Sequence, residues 1–437
     1  MVRITDDILY RVEKPSRYVG GELNEVIKDP KEVDIRFGFC FPDVYEVGMS
    51  HLGSRILYHV LNQRKDTYCE RVYAPWPDME KLMRENNIPL YALETKDPIN
   101  EFNFLAFTLQ YEMSYTNILN ILNMGGIPLR ASERTEKDPL VIAGGPCAYN
   151  PEPLYDIVDI FQLGEGEEGL NDLLDLYQKH KDNFNKEAYL REASHIPSVY
   201  IPSLYDVTYN EDGTIKEFIP KYDDVPKKVK KRIINNFDQV DFPESLIVPY
   251  SEIVHDRVVL ELFRGCTNGC RFCQAGMIYR PVREKSRKTL LDQARKMLKA
   301  TGYDEVSLVS LSTCDYSDIQ GLVKDLIEEH GKNNVSVALP SIRVDAFSVD
   351  LLKEIQKVRK TGLTFAPEAG SQRMRDVINK GLTEERILEA AKNAFESGWS
   401  TIKLYFILGV PYETVEDAAE IGLLAEKIAD QYFAVPK

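Results

Sequence analysis

Cys266, Cys270 and Cys273 stand in the spacing Cys-x-x-x-Cys-x-x-Cys directly after an apolar, β-branched run, Val258-Val259-Leu260-Glu261-Leu262-Phe263. A strand must therefore end in a loop that carries three thiols. Three thiolates this close in sequence can wrap one cuboidal iron–sulfur cluster, because thiolate is the preferred ligand of such iron. A closed cluster of this type takes four cysteines, so three leave one iron open to an outside ligand. A disulfide reading fails because three cysteines cannot all pair, and a tetrahedral zinc site lacks its fourth ligand nearby.

Strands and helices alternate after the cysteines, as a parallel α/β sheet or barrel requires. With 258–263 as the first strand, further strands are expected at 305–310, 335–339, 362–366 and 402–408. Helices are expected near 318–329, 349–359, 383–396 and 414–430. Another is expected to start at Thr289-Leu290-Leu291-Asp292, with Leu290, Leu291, Ala294, Met297 and Leu298 on one face.

The N-terminal part has its own pattern, with strands expected at 33–39, 90–93, 104–109, 140–143 and 157–163. Helices at 52–63, 77–86, 115–124 and 166–179 separate or follow them, which is the doubly wound, flavodoxin-like order. Residues 183–256 are rich in proline, charge and aromatic side chains and read as a linker with an edge strand at 198–201. The expected domains are 1–182, the linker 183–256, and 257–437.

Charge and cysteine usage narrow the class. The 437-residue chain carries a formal charge of −15, which argues against a broad nucleic-acid surface. The basic run Lys227-Lys228-Val229-Lys230-Lys231-Arg232 is the exception and reads as a solvated linker face. Seven cysteines, three of them in one motif, do not make a secreted disulfide framework. Acidic residues at Asp6 and Asp7 stand where a signal peptide would be apolar, and no run approaches the ~18 residues of a membrane span. A cytoplasmic enzyme with no membrane association is expected.

The cysteine motif, with Phe272 just before its last cysteine, closely resembles that of the radical S-adenosylmethionine (radical SAM) superfamily. The resemblance implies a 4Fe-4S cluster on Cys266, Cys270 and Cys273, with the amino and carboxylate groups of SAM on the open iron. One electron from the reduced cluster then cleaves SAM to a 5′-deoxyadenosyl radical, for methyl transfer or radical modification of an unspecified substrate. A reductant protein of the flavodoxin or ferredoxin type is the implied partner. The implied fold is a partial (β/α)6 barrel. The chain stops at 433–437, where the sixth strand would begin, so a barrel truncated at its C-terminus is expected.

Each strand end then acquires an implied role. Ser310 and Ser312 follow the second strand, where the family faces the SAM amino group with a glycine-rich motif that this chain lacks. Arg343 follows the third and could clamp a carboxylate with its bidentate fork. Glu368 and Ser371 follow the fourth, the place of contacts to the SAM ribose, and Gly409 follows the fifth, facing the adenine.

Gly144-Gly145-Pro146 and Gly164-Glu165-Gly166-Glu167 resemble the cobalamin-binding domain that precedes the radical SAM domain in one large subgroup. Such domains ligate cobalt through Asp-x-His-x-x-Gly, and here the loop reads Asp43-Val44-Tyr45-Glu46-Val47-Gly48. The histidine is Tyr45, and His51 is out of register. Cobalamin is therefore expected without histidine ligation, or not at all. Domain order, with Arg264-Gly265-Cys266 and Cys273-Gln274-Ala275-Gly276, resembles a bacterial family of cobalamin-binding-domain radical SAM proteins often fused to a further C-terminal domain. Two other readings stay open. One is a methylthiotransferase acting on RNA or protein, with Cys40, Cys69 and Cys147 on a second cluster. The other is a non-catalytic iron–sulfur protein.

Overall fold

The computed structural model describes residues 2, 4–339 and 363–435. They fall into two compact units, Met1–Asn235 with Val240–Asp256, and Asn236–Gln239 with Arg257–Lys437.

In the first unit, after the short helix α1 (Asp6–Leu9), five parallel strands form the sheet: β1 (Ile35–Phe41), β2 (Thr67–Tyr73), β3 (Phe104–Thr108), β4 (Leu140–Gly144) and β5 (Ile160–Gln162). The edge strand β6 (Val199–Tyr200) pairs antiparallel with β5, and the order is β2-β1-β3-β4-β5-β6. That is the flavodoxin-like order, with its switch point between β1 and β3. Helices α2 (Tyr45–Ser50), α3 (Leu52–Gln63), α4 (Pro77–Glu85), α5 (Tyr115–Met124) and α6 (Gly166–His180) connect or follow the strands. The central strands are apolar on both faces, as strands covered on both sides must be. Phe37 of β1 and Phe104 of β3 are fully buried and stack 5.9 Å apart. Each such ring contributes about 1.5–3 kcal/mol over leaving it exposed.

Three sequence expectations change here. Residues 90–93 form no strand: they are buried coil, the Leu90 and Leu93 amides donating to the Met124 and Arg71 carbonyls at 2.9 Å. Their place in the sheet belongs to β2, whose Glu70 and Arg71 disguise it as a surface segment. Those charges are buried because they are paired, Glu70 with Arg36 and Arg71 with Glu22, Glu25 and Glu94 at 2.6–2.8 Å. Secondly, the loop expected at 43–48 turns into α2 from Tyr45 onward. Thirdly, residues 183–256 hold a helix, α7 (Lys186–Ala193), and a hairpin, β7 (Tyr205–Tyr209) with β8 (Ile215–Pro220).

The second unit opens with β9 (Val258–Glu261) and a two-residue antiparallel ladder, β10 (Phe263–Arg264) with β11 (Arg283–Glu284). Between the ladder strands lies the short helix α8 (Ala275–Ile278). Then come α9 (Arg287–Thr301), β12 (Glu305–Val309), α10 (Ile319–His330) and β13 (Ser336–Ala338). After the undescribed stretch follow β14 (Leu363–Glu368), α11 (Gln372–Val377), α12 (Glu384–Glu396), β15 (Ile402–Phe406) and α13 (Val415–Ala434). Among the described residues, β13, β12 and β9 form one parallel sheet and β14 and β15 another. The helix α9 begins a turn earlier than Thr289, since Ser286 accepts the Thr289 amide as its N-cap. Arg343 and the helix expected at 349–359 lie outside the described residues. Among the described helices none is long and apolar enough to cross a membrane.

Candidate functional site

The cysteine loop leaves β10 and returns through β11, so the ladder Phe263↔Glu284 and Arg264↔Arg283 closes its neck. Gly265 sets the turn out of β10 at φ +98°, and a Cβ there would lie 2.5 Å from the Pro281 carbonyl oxygen. Cys266, Cys270 and Cys273 are partly exposed and form no disulfide.

Hydrogen bonds tie this loop to the turn after β12 and to the segment that follows α11. Asn268 donates to Asp315, in the turn after β12, at 3.2 Å, and to Cys266 Sγ at 3.3 Å. The Arg271 amide donates to the Ile378 carbonyl at 2.9 Å, and its guanidinium reaches the Val377 carbonyl. Asn379 donates to the Gly269 carbonyl at 2.9 Å. The Asn268–Asp315 tie holds the loop beside the C-terminal end of β12, the side on which α/β folds gather their sites.

Among the described residues, no three His, Cys, Asp or Glu side chains converge closely enough to hold a single metal ion. A cuboidal cluster asks less, because each thiolate binds a separate corner iron. Three thiols on one glycine-hinged loop, none of them in a disulfide, fit that donor set.

Of the other residues expected at the SAM site, the described ones lie in the cysteine loop (Phe272) or at and after the ends of β12, β14 and β15. Phe272 is 40% exposed, and Lys380 Nζ lies 5.9 Å from its ring centre. Lys380 also pairs with Glu368 at 3.0 Å, and Glu368 sits at the end of β14 with φ +69°, a strained value for a residue with a side chain. Ser310 bonds Thr313 at 3.3 Å, whereas the hydroxyl of buried Ser312 has no partner among the described residues. Such a buried orphan in the turn after β12 has room in its bonding for a ligand. Ser371 is occupied, donating to Asp417 at 2.7 Å and capping α11. The turn before α11 is fixed by buried Arg375, which donates to the Ala369, Gly370 and Leu382 carbonyls. Gly409 has φ +82° and donates to Glu413 at 2.6 Å.

In the first unit Asp43 lies at the β1/β3 switch point and accepts from the Tyr111 hydroxyl at 3.0 Å. Tyr45 turns inward, 2% exposed, with its hydroxyl donating to Glu22. Burial, with the Glu22 carboxylate beside it, pushes the Tyr45 hydroxyl far above its ordinary pKa. Gly48 packs against the Tyr73 ring. His51 caps α3 by accepting the Ser54 amide, and burial lowers its pKa to about 4. Gly144 ends β4, and Gly145 has φ +100°, where a Cβ would lie 2.8 Å from the Leu109 carbonyl oxygen. The glycine turn at 164–166 is covered by the chain itself, with the Arg232 backbone amide donating to the Leu163 carbonyl at 2.9 Å.

Cys40, Cys69 and Cys147 are buried, and burial pushes all three thiols above their ordinary pKa. Cys40 lies on β1 and Cys147 follows β4, two strand spacings or about 10 Å away. All three thiols pack in the core of the first unit.

Comparison with known proteins decides the family. The model of the radical SAM superfamily matches residues 260–425, and that of the N-terminal region of radical SAM proteins matches residues 53–202. The chain belongs to the radical SAM superfamily. An uncharacterized protein of Methanocaldococcus jannaschii is 29% identical over 391 residues, 89% of this chain and 72% of that protein. Among solved structures, the radical SAM methyltransferase TsrM of Kitasatospora setae, with cobalamin and a 4Fe-4S cluster bound, superposes with a TM-score of 0.60 at 14% identity. That match covers 90% of this chain and 73% of TsrM. OxsB, a cobalamin-dependent radical SAM enzyme with aqua-cobalamin and SAM bound, gives 0.58 at 14% identity. It is matched over 89% of this chain, which spans about half of OxsB (51%). Both likenesses are of fold.

Sequence reasoning missed the residues that hold the radical SAM loop in place: Asn268, Asp315, Asn379 and Lys380. Asn379-Lys380-Gly381 did carry a turn signal, since asparagine tolerates the left-handed conformation that Asn379 adopts at φ +52°. The partnership between distant loops carried none.

Proposed function

We propose that this radical SAM enzyme holds a 4Fe-4S cluster on Cys266, Cys270 and Cys273 and uses SAM for methyl transfer or another radical modification. When bound, the cluster supplies the electron that splits SAM into methionine and a 5′-deoxyadenosyl radical. The observation that carries the reading is the tethering of the three-thiol loop to the turn after β12 and to the segment after α11 that follows β14. That tethering leaves Ser312, Glu368 and Phe272 to contact SAM, with Ser310, Gly409 and the backbone at Ser371 as further contacts, and Arg343 is proposed as a carboxylate clamp on the family resemblance alone. Phe272 offers an exposed ring face, and Ser312 an unused hydroxyl.

Cobalamin is assigned to the switch point of the first unit, near Asp43, Gly48, Gly144 and Gly145. The flavodoxin-like strand order and the cobalamin bound by TsrM and OxsB support this. The inward Tyr45 supports cobalamin without a ligand from the loop where other domains place histidine. A flavodoxin- or ferredoxin-type protein is the proposed reductant. A cytoplasmic setting, where thiols stay reduced, suits a cluster held on Cys266, Cys270 and Cys273.

The test is anaerobic: chain loaded with iron and sulfide is reduced and incubated with SAM. Formation of 5′-deoxyadenosine, abolished by Cys270→Ala, is expected. Intact SAM after full reduction would refute the reading.

A further inference from the structure

The neck of the cysteine loop poses an electrostatic problem. Arg264 and Arg283 face each other across a two-residue antiparallel ladder, and Lys285 follows. Like charges placed directly opposite destabilise such a pair, and so short a ladder has little of its own to offset this. Glu261 is one answer to these charges, pairing with Arg264 at 2.8 and 3.0 Å and attracting Lys285 and Arg283 as well. Burial works to raise the Glu261 carboxyl, and Arg264, helped by Lys285 and Arg283, outweighs it and holds the group below its ordinary pKa.

The second answer comes from outside the barrel sequence. Asn236–Gln239 packs in the second unit although the residues on either side of it belong to the first. Phe237, 2% exposed, presents its ring to all three cations: Arg264 Cζ at 4.8 Å, Lys285 Nζ at 5.1 Å and Arg283 Cζ at 5.9 Å. Cations within about 6 Å of an aromatic face are attracted by its quadrupole, most strongly where water is excluded. The next residue, Asp238, accepts the amide of Ser286, the N-cap of α9, at 2.6 Å. Two adjacent residues thus grip both strands of the neck and the helix that leaves it.

We propose that Phe237 and Asp238 form a clasp on the neck of the cysteine loop, and that the π face of Phe237 governs how firmly that loop retains its cluster. The proposal rests on the assignment of the cluster to Cys266, Cys270 and Cys273. Phe237 is a positioning residue: it touches the cations that flank the loop, and its influence reaches the thiols through the ladder. The sequence shows only an aromatic residue in a polar linker, so the role is invisible before folding.

The test uses the full-length chain loaded anaerobically, with Phe237 replaced by phenylalanines carrying progressively more ring fluorines. Fluorine withdraws charge from the π face and leaves the ring's shape in place, so the fold is kept. Two quantities are read: iron per chain at the start, and the rate of iron loss to a chelator. The rate is expected to climb with each fluorine, and Phe237→Leu to lose iron at least roughly fivefold faster than wild type, since one cation–π contact is worth about that much and the ring makes three. The thermal unfolding temperature of the unloaded chain is expected to fall modestly along the same series, because the same cation–π contacts steady the empty neck. A flat rate across that series overturns the clasp, leaving Phe237 as ordinary core packing. Wild-type chain that takes up no iron overturns the cluster assignment, and the clasp with it.

Discussion

Asn379 donates its side-chain amide to the Gly269 carbonyl at 2.9 Å, joining the segment after α11 to the middle of the cysteine loop. Asn379 is itself left-handed at φ +52°, so one residue meets a backbone requirement and makes a contact. Asn379→Gly keeps the conformation and removes the amide, and is expected to weaken the tether by about 0.5–1.5 kcal/mol, the net scale of one hydrogen bond. Asn379→Ala adds backbone strain of about 1 kcal/mol or more. Faster iron loss in Ala than in Gly, and in Gly than in wild type, is the expected order. Equal rates would show that the tether does not act on the cluster.

Cysteine replacement separates ligands from core thiols. Cys266→Ala, Cys270→Ala and Cys273→Ala are each expected to abolish the visible absorbance of the thiolate–iron cluster. Alanine at Cys40, Cys69, Cys147 or Cys314 should leave it, with some loss of stability at the three buried positions. Full iron content in Cys270→Ala would remove the loop from the account.

The tyrosine that stands for a ligating histidine has a structural duty. Tyr45→Phe removes a donor from buried Glu22 and is expected to cost about 1–3 kcal/mol in chemical unfolding. A cost near zero would mean that the hydroxyl does not satisfy that carboxylate.

The same cluster predicts a pH dependence. Arg71 is shared by Glu22, Glu25 and Glu94, and burial together with the Glu94 carboxylate pushes the Glu25 carboxyl up to about 7. A carboxyl raised on folding favours the protonated folded state. Its stabilising contribution is complete below the ordinary carboxyl range and is lost as pH rises through about 7, at about 1.4 kcal/mol per unit of the rise. His51 works oppositely, since its depressed pKa costs stability as pH falls below its ordinary value. Thermal unfolding of wild type and Glu25→Gln between pH 5 and 8 isolates Glu25. The wild-type advantage should shrink as pH rises, and a constant difference would contradict the assignment.

Short apolar runs made most of the parallel strands of both units legible, because stretches such as 258–263 and 104–109, bounded by polar residues, have few other ways to fold. The same signal missed β2, where Glu70 and Arg71 are buried against partners that lie far away in sequence. It placed a strand at 90–93, whose apolar side chains are buried but whose amides bond outside any ladder. The cluster loop was legible because three cysteines at fixed spacing have little other use. Its supports were not, since Asn268, Asn379 and Phe237 are ordinary residues until the fold brings their partners near.

Electron paramagnetic resonance of the anaerobically loaded, reduced chain, recorded with and without SAM, tests the central claim most directly. The account predicts the signal of one reduced 4Fe-4S cluster per chain, shifted when SAM occupies the open iron and absent in Cys270→Ala. A cluster signal that SAM leaves unchanged, or one that survives in Cys270→Ala, would contradict it.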